Sequence, residues 1–405
     1  MYKSPGRVRR AGLASALIVV SALLSACSLL QQPWAKRAEK APPVAPAVPQ
    51  AAAPIATHRF EVAPTDDVVG TVQVTVASKE DTLSDIARRF NIGYEEIVRA
   101  NPKVDPWLPG EGREIVIPTQ YILPNAPREG IVINVAAMRL FYFPKQKLGP
   151  TQVVYTHPIG IGKVGWATPQ GTTRVTRKTK DPTWRPGPGV RAEHKENGEE
   201  LPAVVPPGPD NPLGNRAMYL AWPQFLIHGT NKPYGVGLRS SHGCIRMYPE
   251  DVEKVFEMVG VGEKVTVVNQ PFVFGWHQDQ LYLQAYDVLE DDPRDWQKAQ
   301  KKLITRSLAD RIQKQLKSRA EAINWAAVSQ VAHTPRGVPV SVSRAEVTIE
   351  QVVAAALRVQ NRVPDNASWD GKSNLPVDEK EFREMLSDSD PNAPAGEPAG
   401  TRPGS

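Results

Sequence analysis

Residues 227–247 read I-H-G-T-N-K-P-Y-G-V-G-L-R-S-S-H-G-C-I-R-M. Around them stand short segments with period-two or apolar patterning: I-V-I-N-V from Ile131, R-L-F-Y-F from Arg139, Q-V-V-Y-T from Gln152, T-R-V-T-R from Thr173, A-M-Y-L from Ala217, F-L-I-H from Phe225 and K-V-T-V-V from Lys264. Glycine and proline punctuate the series, which predicts an all-β sandwich or barrel with few helices. One amphipathic helix is predicted over 250–259, opened by Pro249 and stopped by Gly260. His228 then closes a strand and Cys244 lies on the loop ahead of that helix. Loops on a rigid β scaffold are where reactive side chains are usually held.

Cys244 is a candidate nucleophile. A free thiol has a pKa of about 8.5, so a reactive cysteine needs a base or positive potential beside it. His228 and His242 are at hand, Gly243 allows a sharp turn whose N–H groups suit an oxyanion, and Ser240 and Ser241 suit hydrogen bonding in the same loop. A metal site is the competing reading, since histidine and thiolate both ligate zinc. The seven histidines are otherwise scattered and no third close ligand of matching type stands near, so neither metal nor cofactor is expected.

The pattern H-G-T followed by S-H-G-C-I-R resembles the signature of the L,D-transpeptidases, the family with the YkuD-type catalytic domain. The resemblance implies that Cys244 accepts the acyl group, that His228 is the general base and that the Gly229 carbonyl orients its imidazole. It further implies that His242 lines the pocket, that the N–H groups of Gly243 and Cys244 form the oxyanion hole, and that Arg246 holds the loop and meets a substrate carboxylate. The run P-I-G-I-G-K-V-G-W-A-T-P-Q-G, 158–171, matches the same family; its glycine spacing fits no nucleotide-binding motif. The proline-rich insertion 178–215 corresponds to a lid over the cleft, with Trp184 and Tyr234 as wall residues beside Ser241 and Arg246.

Residues 72–118 form a separate unit. V-Q-V-T-V alternates as a strand, Asp81-Thr82 caps a helix carrying Leu83, Ile86 and Phe90, Glu95-Glu96 opens a second helix through Ala100, and I-V-I-P closes with a strand. The runs D-T-L-S-D-I-A-R-R-F, I-V-R-A-N-P and I-V-I-P are similar to the LysM module, which implies a small βααβ fold binding peptidoglycan glycan through Asp81, Thr82, Leu83, Asn101 and Pro102. Lys79-Glu80 replaces a glycine often found there. A non-binding adaptor packed on the catalytic domain is the plainer alternative.

At the start, Lys3, Arg7, Arg9 and Arg10 precede an apolar run over 11–24 and then L-S-A-C at 24–27. That reads as a secretory signal peptide, and the run is shorter than the ~20 residues of a membrane span. The ending resembles a bacterial lipobox, which implies lipidation of Cys27 and a periplasmic, lipid-anchored protein. Ser28 in place of aspartate implies the inner leaflet of the outer membrane. The sequence has two cysteines, so lipidated Cys27 leaves Cys244 without a disulfide partner. The net charge of +6 includes those four leader cations, and no basic helix or aromatic-basic platform points to nucleic acid.

The predicted organisation is signal peptide 1–26, Ala/Pro-rich tether 27–70, LysM module 71–120, catalytic domain 128–270, partly helical C-terminal extension 271–360 and disordered tail 361–405. The extension includes a hairpin in V-F-G-W-H-Q-D-Q-L-Y-L-Q-A-Y and a docking helix over 295–317. The resemblance implies attack of Cys244 between the third and fourth residues of a tetrapeptide stem, release of D-alanine, and acyl transfer to an amine. That amine belongs to meso-diaminopimelate of another stem or to the terminal lysine of a Braun-type lipoprotein. Hydrolysis of the same bond uses the same residues, and a purely wall-binding lipoprotein needs none of them.

Overall fold

The computed structural model describes residues 52–53, 57–79, 81–145, 151–294, 323–343 and 347–362. Its centre is a nine-stranded sheet in the order Arg59–Val62, Gln152–Pro158, Arg139–Phe143, Gly130–Asn134, Lys264–Val268, Gly171–Lys180, Arg216–Leu220, Leu226–His228 and Ile245–Arg246. Two pairings are parallel, Gly130–Asn134 with Lys264–Val268 and Leu226–His228 with Ile245–Arg246; the other six are antiparallel. Strand alternation sorts side chains between two cores. Ile131, Ile133 and Leu140 face one with Val175, Met218, Ile227, Ile245 and Val265, while Val132, Phe141 and Phe143 face the other with Val62, Tyr121 and Val154. Each such side chain contributes roughly 1.5–3 kcal/mol by leaving water. The chain is mainly β, as its patterning predicts.

The helix predicted over 250–259 is α4, Pro249–Met258, with Pro249 at its first turn and Val252, Val255 and Phe256 against the first core. Residues 57–70 depart from the tether reading. Arg59–Val62 is an edge strand of the main sheet and Val68–Gly70 pairs with Gln120–Ile122, because Phe60, Val62 and Val69 find apolar partners in Tyr121, Phe141 and Val154. Cys27, the leader, the predicted helix 295–317 and the tail from 363 lie outside the described residues.

In the LysM region the elements are Gln73–Val76, α1 (Leu83–Arg89), α2 (Tyr94–Ala100) and Glu114–Ile117. Thr82 caps α1 with a reciprocal Asp85 bond, and Leu83, Ile86, Ile97, Ile115 and Ile117 are buried together. Helices of seven residues are marginal alone, so this core and the cap, worth about 1 kcal/mol, hold them. The sheet has a third strand that the βααβ reading lacks: Leu357–Arg358 runs parallel to Gln73–Val76, and Val359 enters the core.

The extension opens with the hairpin Phe272–His277 and Gln280–Ala285, turned at Gln278 and Asp279, both at positive φ. Val340–Ser341 adds a strand and the helix Trp325–His333 covers it. Its core includes Ala100 and Val116 of the LysM region, so the extension and that region share one interior.

Candidate active site

Strand Leu226–His228 delivers the imidazole and its parallel neighbour Ile245–Arg246 follows Cys244 directly, with His228 opposite Arg246. His228 is buried, and its Nδ1 lies 2.6 Å from the Gly229 carbonyl. A carbonyl only accepts, so Nδ1 carries the proton and Nε2 is the basic nitrogen. Burial, then the Arg246 charge, push the imidazole down to about 3, against the opposing pull of the Gly229 and Leu213 carbonyls. It is neutral at physiological pH.

Cys244 sits between Arg239–Ser241 and Ile245–Arg246. Burial pushes its thiol up, against the Leu226 N–H and the Arg246 charge, which favour thiolate. Sγ donates to the Gln224 carbonyl at 3.4 Å, so the thiol proton points at Gln224. Gln224 itself has a φ of 71°, a strained conformation for a non-glycine residue. Neutral thiol and neutral imidazole are the resting pair.

Gly243 takes a φ of 96°, and a Cβ there would meet the Phe225 ring at 2.7 Å, so glycine is required on both counts. Ser241 Oγ donates to the Cys244 carbonyl at 2.5 Å, and Arg246 donates to Ser240 Oγ at 3.2 Å. These bonds brace the loop from within.

Where His242 and Arg246 flank Cys244 in sequence, a cleft of about 590 Å³ opens, lined by both and by Ser240, Asn231, Lys163 and Trp184, among others. Its outer wall is the insertion, which is not plain loop: α3, Pro188–Glu196, stands in it. No residue of α3 is buried, so it lacks the apolar periodicity by which a helix is recognised in sequence. Glu193 of α3 pairs with Lys163 and lies 3.1 Å from His242 Nε2, while the Trp166 ring meets His242 edge-on at 4.9 Å. Burial lowers the His242 pKa, and Glu193 opposes this.

The structure thus gathers His228, Gly229, Ser241, His242, Gly243, Cys244 and Arg246, with Trp184 across the cleft. Tyr234 does not line that cleft; it stands at its edge, two residues after Lys232, and packs on Tyr94 and Leu238 as Trp107 does. In the LysM region Asp81, Leu83 and Asn101 are buried. Asp81 is tied to Arg89 and Asn361, and Asn101 to the main chain of Ile97 and Val116. Thr82 and Pro102 keep exposed surface. Gln224, Leu226, Lys163, Trp166 and Glu193 are not singled out in the sequence; the first two act through main-chain atoms, Lys163 and Trp166 lie inside the 158–171 run, and nothing local marks Glu193.

The sequence matches the L,D-transpeptidase catalytic domain family (YkuD) over residues 128–267 and the LysM domain family over 76–118. It is 46% identical over 213 residues to the probable L,D-transpeptidase YbiS of Escherichia coli K12, covering 51% of this chain and 68% of that one. Against the probable L,D-transpeptidase YcfS of the same organism it is 42% identical over 222 residues, 53% of this chain and 68% of that one. Against the probable L,D-transpeptidase ErfK/SrfK of Salmonella typhimurium LT2 it is 37% identical over 278 residues, 67% of this chain and 86% of that one. The chain belongs to the L,D-transpeptidase family and joins a YkuD-type catalytic domain to a LysM domain.

Proposed function

We propose that the protein transfers the acyl group of a peptidoglycan tetrapeptide stem from D-alanine to an amine, with Cys244 as nucleophile and His228 as base. The observation that carries this reading is the resting pair: a neutral imidazole, tied at Nδ1 to the Gly229 carbonyl, and a thiol set between the Gln224 carbonyl and the Leu226 N–H. Rotation about the Cys244 Cα–Cβ bond moves the thiol proton from Gln224 toward His228 Nε2. As Sγ bonds to the carbonyl carbon between the third and fourth stem residues, that proton passes to Nε2, and the oxyanion is received by the Gly243 and Cys244 N–H groups. Collapse breaks the C–N bond, the imidazolium protonates the departing D-alanine amine, and a thioester remains. The acceptor amine then gives its proton to Nε2, attacks the thioester and releases the Cys244 thiolate, which takes the proton back.

Arg246 and Lys163 supply positive charge along the cleft for the stem's carboxylates, with Trp184 as the opposite wall. The LysM domain holds glycan of the same wall through Thr82, Pro102 and their loops. The proposed cell-wall substrate, the leader and the lipobox-like L-S-A-C support a periplasmic location with an anchor at Cys27.

The test is a mass-spectrometric product assay on wild type and Cys244→Ala, given disaccharide-tetrapeptide with and without a peptide ending in lysine. A cross-linked dimer lacking one D-alanine supports transfer between stems, and a stem-lysine adduct supports protein anchoring. Tripeptide alone replaces transfer by hydrolysis. No Cys244-dependent product removes the enzymatic reading.

A further inference from the structure

The LysM and catalytic domains meet at a seam that begins within two residues of the cleft. At its centre the first two N–H groups of α2, Tyr94 and Glu95, donate to the Val236 and Gly237 carbonyls at 3.2 Å each. Helix N-termini leave such donors without partners inside the helix, and here the loop leading to Cys244 satisfies them. The backbones touch glycine to glycine: a Cβ on Gly93 would lie 2.8 Å from Gly237 Cα, and one on Gly237, where φ is 88°, would lie 2.2 Å from Tyr94 N. Over this contact Tyr94 and Leu238 are buried, and two half-buried aromatic rings, Trp107 of the LysM domain and Tyr234 of the catalytic domain, pack upon them.

Both rings are held in place. Asp105 Oδ1 accepts the Trp107 and Leu108 N–H groups at 2.8 and 3.1 Å, and Leu108 beside them is 77% exposed. Tyr234 stands in the short helical turn Pro233–Gly235, directly after Asn231 and Lys232, which line the cleft. Two residues of chain span at most ~7 Å, so the Tyr234 backbone stands at the edge of the cleft that Lys232 lines. Tyr234 also acts electrostatically on Arg246, at the cleft's inner end.

We propose that Trp107 and Tyr234 form a sugar subsite continuous with the cleft, which takes a pyranose ring of the glycan strand whose own stem peptide lies against Lys232 and Arg246. Rigid aromatic rings with an apolar face, flanked by Asn231, Lys232 and Asp105 for hydroxyl and amide groups, suit a ring that is apolar on its faces and polar at its rim. The occupant is one and the same strand, so the LysM domain reads the sugar of the peptide being processed rather than a distant anchor point. This rests on the proposed reading of the cleft as the stem-peptide site.

Calorimetric titration of the full chain bearing Cys244→Ala, with and without Trp107→Ala, tests it with two ligands: disaccharide-tetrapeptide and the free tetrapeptide. The expected result is tighter binding of the sugar-bearing ligand in the Cys244→Ala protein. Trp107→Ala removes that advantage, a loss of roughly tenfold, and leaves the free tetrapeptide unchanged; Trp107→Phe keeps most of it. Equal weakening of both ligands, or no sugar advantage at all, overturns the subsite while the cleft reading stands. Failure of the free tetrapeptide to bind overturns the cleft reading, and the subsite with it.

Discussion

The loop carrying His242 and Cys244 is gripped from two sides, and the grips differ in kind. On the LysM side the contact is main chain against main chain, reinforced by Tyr248 Oη donating to the Ile92 carbonyl, Asn91 donating to Asp251, and Glu96 paired in two bonds with Arg139. Arg139 is 0% exposed and rests over the Tyr121 ring. On the insertion side α3 buries nothing and reaches the loop through Glu193, whose partners Lys163 and His242 keep 16% and 21% of their side-chain surface. Water competes for the second grip and is shut out of the first. A buried contact of this sort fixes geometry, whereas a solvated ion pair can let go and reform at small cost.

Four changes probe that contrast. The largest effect belongs to the proposed base opposite that loop: His228→Gln lowers kcat/KM by about 10²–10⁴-fold, measured on the tetrapeptide substrate, with unfolding unchanged in cooperativity. A residual rate near wild type would remove His228 as base. Next, Glu96→Ala strands the Arg139 guanidinium in the interior and costs about 3–5 kcal/mol in urea unfolding. Replacing both, Glu96→Leu with Arg139→Met, recovers most of that loss; if it does not, the seam depends on more than charge pairing.

Gly237→Ala comes third. It combines a positive-φ strain of about 1–3 kcal/mol with a clash against Tyr94, and it shifts the loop ahead of Cys244. The rate of Cys244 alkylation falls along with stability. An unchanged rate would mean that the seam and Cys244 are uncoupled. Smallest is Glu193→Gln, which changes stability by no more than ~0.5 kcal/mol. Its mark is kinetic: the 188–196 segment becomes more open to protease.

Two groups around the loop carry a pH response, and both lose stabilisation toward acid. Burial raises the Glu193 pKa, but the Lys163 hydrogen bond and charge, followed by His242, outweigh it and set the folded value below the ordinary carboxylate value. The stabilisation is therefore present above the unfolded pKa and lost as pH falls through the lower folded one, so the lid grip holds at neutral pH and loosens only in acid. His228 responds in the same direction, but across a higher window of pH. Its folded pKa of about 3 lies below the unfolded 6.5, so the unfolded chain binds the extra proton between those values and stability declines as pH drops across that window. The same shift keeps the base free, and the kcat/KM profile should show no acid limb near 6.5. Such a limb would mean that His228 is more exposed in the working enzyme.

Much of the candidate site could be read directly from the sequence because glycine, histidine and cysteine in a fixed order leave few alternatives. The strands were legible from alternation, α4 from Pro249 and Gly260, and α1 from Thr82. What escaped was information that no local window holds. α3 is polar all round, residues 57–70 take their meaning from Tyr121 and Phe141, and Gln224 and Leu226 present backbone atoms that any side chain would supply. Tyr234 reads as a cleft-wall residue through the family resemblance, yet its ring packs on Tyr94 of the LysM domain.

The strand Leu357–Arg358 has a consequence for how the molecule is assembled. It pairs with a segment near the start of the chain, and Thr75 donates to the Val359 carbonyl across 284 residues of sequence. A contact so distant closes slowly, and until it closes the LysM sheet keeps an unpaired edge. The module synthesised among the first is finished only after residue 359 has been made, so its stability reports that the chain has been extended and folded at least that far.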